Sequence, residues 1–228
     1  MNDSNEKLLA NFFNLEYIHT YEKQISNGLF RDSDDVLEYI YRIVEIPISE
    51  FVNYIETVIK RKSIMAADVF QFSNFQDATI KVCNRITGVN NPGLKFKEVA
   101  SLLLDDSIRR NDLALNKYGE NHIKTAELLG LAFKSDNRLY YLSAIGCVFS
   151  KLTQDMQDKL LVRLIIRNKL ISQMFVLAIK AEFDLEAFLY DLSNSTYVRR
   201  RSNIRTVISF LNQSQEYDFS NITKNIIF

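Results

Sequence analysis

Between Ser195 and Asn212 the chain carries four arginines, Arg199, Arg200, Arg201 and Arg205, and no acidic residue. Thr196, Tyr197 and Asn203 lie among them. Arginine forks onto the O6 and N7 of guanine, asparagine does the same on adenine, and the hydroxyls of Ser, Thr and Tyr reach phosphate oxygens. These types point to nucleic-acid binding, and four cations on one helix predict a steep salt dependence through counter-ion release. A second group, Arg109, Arg110, Asn116, Lys117 and Lys124, with Arg138 in a turn beyond, offers similar donors. There Asp105, Asp106, Asp112 and Glu120 are interspersed and offset the charge. The plainer reading of either group is a solvated cationic face, or one paired with the acidic N-terminal stretch.

Other chemistry is poorly supplied. The sequence has no Gly-rich phosphate loop and no Gly-x-Ser-x-Gly elbow, and its two histidines, His19 and His122, stand apart from cysteines and carboxylates at metal-ligand spacing. Each reads as a helix-surface or half-buried residue. Cys83 and Cys147 fall in apolar helical patterns, which predicts reduced, buried thiols. A metal-dependent nuclease would need carboxylates and a lysine grouped on a strand, and none is legible; Glu56 to Lys60 belongs to an amphipathic helix. The expectation is a protein that is not an enzyme, with no metal and no cofactor.

The elements that must position these residues are mostly helices. With 228 residues but only six Gly and two Pro, the chain favours long helices with short connections. Residues 1–70 hold twelve acidic against seven basic side chains, so the zero net charge averages unlike parts and any nucleic-acid footprint belongs to the later two thirds. No charged-then-apolar leader opens the chain, and no apolar run approaches the ~18 residues of a membrane span, which predicts a cytoplasmic protein with no membrane contact.

The first stretch reads as helices: one from Leu8, a continuation through Ile18, Tyr21, Ile25 and Leu29, one over Val36 to Val44 capped by Asp32 or Ser33, then a break at Pro47 and a helix capped by Ser49. Asp77 to Thr87 makes a helix ended by Gly88, VNNPG turns, Leu94 to Phe96 is a short strand, and Lys97 to Leu104 a helix. The next helix, from Ile108 or Asn111 to Leu129, contains Gly119, read as a bend, and stops at Gly130. Leu131 to Phe133 and Arg138 to Ser143 then form a hairpin about Ser135, Asp136 and Asn137. Beyond it lie helices over Ala144 to Leu152, Gln154 to Lys169 and Ser172 to Phe183, a short helix capped by Asp184, and a helix over Thr196 to Asn212 with Val198, Ile204, Val207, Ile208 and Leu211 inward. The apolar tail through Ile226 and Phe228 reads as an edge strand or docked end.

A helix running into a small hairpin is the order of a winged helix-turn-helix at its recognition helix and wing. The expected fold is therefore mainly α, with a helical interaction or bracing domain at 1–72, a first winged-helix module at 73–152 and a second winged-helix-like module at 153–228, each module with a small hairpin wing.

ELLGLAFKSDNRLYYLSAIG (Glu127 to Gly146), followed by STYVRRRSNIRTVISFLN (Ser195 to Asn212), resembles the paired winged-helix portion in target-recognition regions of bacterial type II restriction and nicking endonucleases. The resemblance runs from Asp77 onward and implies double-stranded DNA binding, with cleavage carried by a separate nuclease domain. No such domain is legible here. The implied role is a recognition subunit or accessory of a restriction-modification or other defence system, acting by positioning beside a nuclease or methyltransferase partner. Two alternatives stay open: a winged-helix transcriptional regulator, dimeric through its acidic N-terminal helices, and a protein–protein adaptor that never touches DNA.

Overall fold

The computed structural model describes residues 3–14, 32–59, 63–71, 74–104 and 111–228. Those residues are mainly helical, with two small two-stranded sheets. The expected helix through Ile18 to Leu29, the Lys60 to Lys62 run and the turn at Asp105 to Ser107 lie outside them. The chain divides into two compact units that interleave along the sequence. Unit 1 takes the described residues of Met1–Phe13, Ile43–Ser73 and Asp158–Phe228, and unit 2 those of Asn14–Arg42 and Asn74–Gln157.

Unit 1 contains α1 (Asp3–Phe13), the last turn of α2 (Ser33–Glu45), α3 (Ile48–Val58), most of α8 (Gln154–Arg167), α9 (Lys169–Lys180), α10 (Leu185–Phe188), α11 (Asn194–Gln213) and α12 (Ser220–Thr223). Helix α9 is apolar nearly all round and packs on both α3 and α12, so it sits at the centre of this unit. The aromatic core includes Phe12, Phe51, Phe70, Phe175 and Phe219, all fully buried, with Phe12 edge-on to Phe51. Asp32 caps α2 by accepting the N–H groups of Asp34 and Asp35. Pro47 ends α2 as expected, but α3 begins at Ile48, one residue before the expected cap Ser49. Helices α8 and α9 meet at Asn168, whose side chain accepts from Leu170 N and Ile171 N and restarts the helix there. The sequence pattern places that break between Lys169 and Ser172, because periodicity alone passes smoothly through an N-cap asparagine.

Unit 1 buries a full guanidinium. The Arg163 side chain on α8 is 1 % exposed. Its Nε donates to Ile43 O, Nη1 to Lys159 O and to Glu216 Oε2, and Nη2 is shared among Val44 O, Ile46 O and Glu216 Oε1. The need for this arises in the sequence. The Ile43 carbonyl would take its helical hydrogen bond from residue 47, which is proline and has no N–H. Arg163 supplies donors to the end of α2 and Glu216 balances the charge.

Unit 2 contains α4 (Phe75–Gly88), α5 (Phe96–Leu103), α6 (Asp112–Leu128), the antiparallel hairpin of β1 (Ala132–Lys134) and β2 (Tyr140–Leu142), and α7 (Ala144–Phe149). Asn90 and Asn91 take left-handed conformations in the expected turn, and the Asn91 amide then pairs with both Leu142 N and Leu142 O. Leu94 bridges Tyr140 antiparallel, which sets a single residue beside the hairpin in place of the expected short strand over Leu94 to Phe96. Gly130, at φ 74°, closes α6 as the sequence requires: Gly130 N donates to Glu127 O and Leu131 N to Ala126 O. Arg138, expected at the start of the return strand, is instead a left-handed turn residue at φ 66° whose N–H donates to Ser135 O.

A second hairpin wing, expected within 153–228, is not among the described residues. There β3 (Phe183–Asp184) pairs with β4 (Ile226–Ile227) in parallel, an arrangement that no tight turn can make and that the long connection through three helices allows. The tail does form the expected edge strand.

Candidate nucleic-acid interface

Helix α11 follows from its own sequence. Ser193 caps it by accepting from Thr196 N, and no Gly or Pro interrupts it before Ser214. Tyr197, Ile204 and Leu211 repeat at seven-residue intervals and, with Val207 and Ile208, form the buried face. Two of the candidate contact residues belong to that interior. Tyr197 is 3 % exposed, and Asn203 is 8 % exposed and donates to Phe70 O. Val198, expected inward, is 56 % exposed. Ile204, Val207, Ile208 and Leu211 are buried as expected, and only the first position of the face differs, where Tyr197, in seven-residue register with Ile204 and Leu211, takes the place of Val198.

Among the described residues the Tyr197 hydroxyl is buried without a hydrogen-bond partner. Leaving a hydroxyl so costs about 1–3 kcal/mol. Tyr197→Phe is therefore expected to raise the melting temperature or leave it unchanged, and to leave nucleic-acid affinity unaltered. A loss of affinity in an anisotropy titration, with the fold intact, would return Tyr197 to the contact surface.

The arginines are placed differently from one another. Arg199 is exposed, and its guanidinium donates to Ser195 O and Thr196 Oγ1 at 3.1 and 3.4 Å. Arg205 is exposed and lies over the Phe228 ring, 5.0 Å from its centroid. Arg201 is half-buried and 5.9 Å from the Tyr197 ring centroid, and Arg200 is half-buried and engaged with neighbours. Among the described residues no carboxylate pairs with Arg199, Arg201 or Arg205. Thr196 also borders an open cleft of about 470 Å³ lined by Ser63, Met65, Ala66, Asp191, Leu192 and Ser193. Asp191 there accepts a hydrogen bond from Ser63 Oγ at 3.0 Å, so the cleft is not purely cationic.

The second candidate group, in unit 2, is close to neutral. Lys117 and Lys124 both reach Glu120, at 2.9 and 3.5 Å. Burial alone would raise the Glu120 carboxyl, but the two ammonium groups outweigh it and hold it below the usual carboxylate range. Lys97 pairs with Asp112 in the same way. Asn116 is exposed, with its amide donating back to Asp112 O, and Arg138 is exposed at the hairpin turn. Leu113, in the first turn of α6, is 79 % exposed. Arg109 and Arg110 lie outside the described residues.

Among the described residues no group of three or more His, Cys, Asp or Glu is arranged to hold a metal ion. His122 is buried, its Nδ1 2.8 Å from Tyr118 O and its ring 4.1 Å from that of Tyr118. His19 lies outside the described residues. Burial pushes the Cys147 thiol up to about 11, against the opposing effects of Asn91 and Lys151, and burial together with Cys147 raises Cys83 further. Only the thiolate attacks, so at pH 8 the reactive fraction of Cys147 is on the order of one in a thousand. The labelling rate of Cys147 by a thiol reagent is expected to keep climbing towards pH 11 in the folded protein. A plateau near the ordinary thiol value of ~8.5 would contradict this.

Comparison with protein-family models, with curated proteins and with solved structures finds no match to this chain. Among the described residues no helix is long and apolar enough to cross a membrane.

Proposed function

We propose that this protein binds double-stranded DNA as a recognition subunit or accessory of a restriction-modification or other defence system, positioning DNA for a nuclease or methyltransferase partner. The observation that carries the DNA reading is α11: a 20-residue helix with four arginines, no acid, and exposed arginines that no carboxylate among the described residues neutralises. The order helix, bridge, helix, helix, hairpin in unit 2 supports a winged helix-turn-helix there. The role is placement of DNA and not catalysis, in keeping with thiols that burial holds protonated.

A protein-adaptor role is the second reading for unit 2. It draws on the near neutrality of α6 and on Leu113, whose exposed side chain at the front of the helix suits an apolar partner better than a phosphate.

Electrophoretic shift of random duplex DNA at low and moderate salt tests the first reading. Binding is expected at low salt, weakening steeply as salt rises. Changing Arg199, Arg200 and Arg205 together to Ala should weaken it and flatten the salt slope by roughly 0.9 for each phosphate no longer neutralised. Absence of binding at low salt would overturn the DNA reading and leave the adaptor.

A further inference from the structure

We propose that α11 lies along the sugar–phosphate backbone and holds duplex DNA without regard to base sequence. This rests on the DNA reading above and says how that helix meets its ligand. Ser195, Arg199, Ser202, Thr206, Ser209 and Gln213 follow one another at steps of four and three, which at 3.6 residues per turn places them on one line opposite the buried face. All six are exposed, and none is acidic. Arg205 and Asn212 flank that line on one side, both exposed, with Val198 beside them.

The side-chain types decide what such a line can read. Bidentate contacts that discriminate one base from another need long, forked side chains, whereas Ser and Thr hydroxyls end one atom beyond Cβ, reach phosphate oxygens when the helix lies close to the backbone, and discriminate little where they do meet a base. Four of the six crest residues are Ser or Thr. The two long ones, Arg199 and Gln213, are separated by about 21 Å along the axis at ~1.5 Å per residue, too far to read adjacent base pairs together. Asn203 and Tyr197, whose amide and phenol could have joined Arg199 in a reading cluster, are in the core. Asn212 Oδ1 is occupied by Thr223 Oγ1 at 3.0 Å. Arg205, held over the Phe228 ring, keeps in-plane N–H groups for an acceptor. The result is a run of short hydroxyls with cations on and beside it; Thr206 already donates to Ser202 O at 3.1 Å, which leaves Ser195, Ser202 and Ser209 as its short donors. Any base discrimination by the protein then comes from other elements.

The test is fluorescence anisotropy with the full chain and three duplexes of equal length, alternating A·T, alternating G·C and mixed sequence, over a range of salt concentrations. The double variant Arg199→Gln, Arg205→Gln is expected to weaken binding to all three by the same factor, within about fivefold, less than one mismatched base pair typically discriminates. Its salt slope should be smaller by about 2. Ser202→Asp, which sets a carboxylate on the exposed crest, should weaken all three further than Ser202→Ala, with thermal melts confirming that both variants fold. A loss that differs among duplexes by more than fivefold means that these arginines read bases and overturns the proposal, and an unchanged affinity and slope places the footprint off α11 and does the same. If the unmodified chain binds none of the duplexes at low salt, the DNA reading itself falls, an outcome distinct from either.

Discussion

Arg163→Met is expected to destabilise the protein by about 3–5 kcal/mol, the cost of leaving one partner of a buried charge pair uncompensated. Methionine matches much of the volume, so the loss is chiefly polar. The carbonyls of Val44 and Ile46 lose their side-chain donor, Ile43 O keeps only the Ile46 N–H at 3.3 Å, and the Glu216 carboxylate loses the guanidinium that both of its oxygens accept from. At roughly 2–4 °C per kcal/mol for a chain of this length, the melting temperature should fall by about 6–20 °C. Glu216, with 23 % of its side chain exposed, regains water more easily than the carbonyls do. Glu216→Gln is therefore expected to cost less, about 1–3 kcal/mol. The double variant should be little worse than Arg163→Met alone, since the carboxylate has nothing left to pair with once the guanidinium is gone. Chemical denaturation of the four proteins decides it. Additive losses would show that Arg163 and Glu216 act separately, and an Arg163→Met loss under about 1 kcal/mol would show that the end of α2 is satisfied without Arg163.

Gly119→Ala is the second large effect. In an isolated helix that change gains up to ~1 kcal/mol. Here a Cβ at position 119 would fall far inside van der Waals contact distance of the Phe96 carbonyl oxygen and 3.0 Å from Ala100 N, where α5 and α6 pack together. Both are backbone atoms of one helix, so relief requires α5 as a whole to shift, and overpacking of this kind typically costs about 1–3 kcal/mol. A net destabilisation of about 2 kcal/mol is expected, with proteolysis of unit 2 accelerated accordingly. Gly146→Ala meets the Leu131 carbonyl in the same way and should behave alike. Gly88→Ala is the control: a Cβ there meets nothing within 4 Å, and the substitution should be neutral or mildly stabilising. Equal melting temperatures for the 88 and 119 variants would contradict the close-approach account.

Gly119 also shows where sequence reading stops. A glycine within a helical pattern reads as a bend, because its effect on the local backbone is all a single chain segment reveals. The helix runs unbroken from Asp112 to Leu128, and what requires glycine is the backbone of α5.

What the sequence determined by itself is whatever depends on neighbours along the chain. Gly130 ended α6, Pro47 ended α2, Asp184 and Asp32 capped their helices, and the period change after Leu129 marked the hairpin, since caps, φ restrictions and side-chain periodicity act within a few residues. The acid-free composition of α11 was equally legible. Tertiary structure decided the rest. It turned Tyr197 and Asn203 inward, because the buried face of α11 is set by what it packs against, including the Phe70 carbonyl 133 positions away. It paired Lys117 and Lys124 with Glu120, although their spacing was open to either pairing or solvation. It drew the first and last segments of the chain into one unit, and it buried Arg163, a residue whose type predicts the surface. A guanidinium is buried only where enough acceptors converge on it, and here they come from α2, from its own helix and from Glu216.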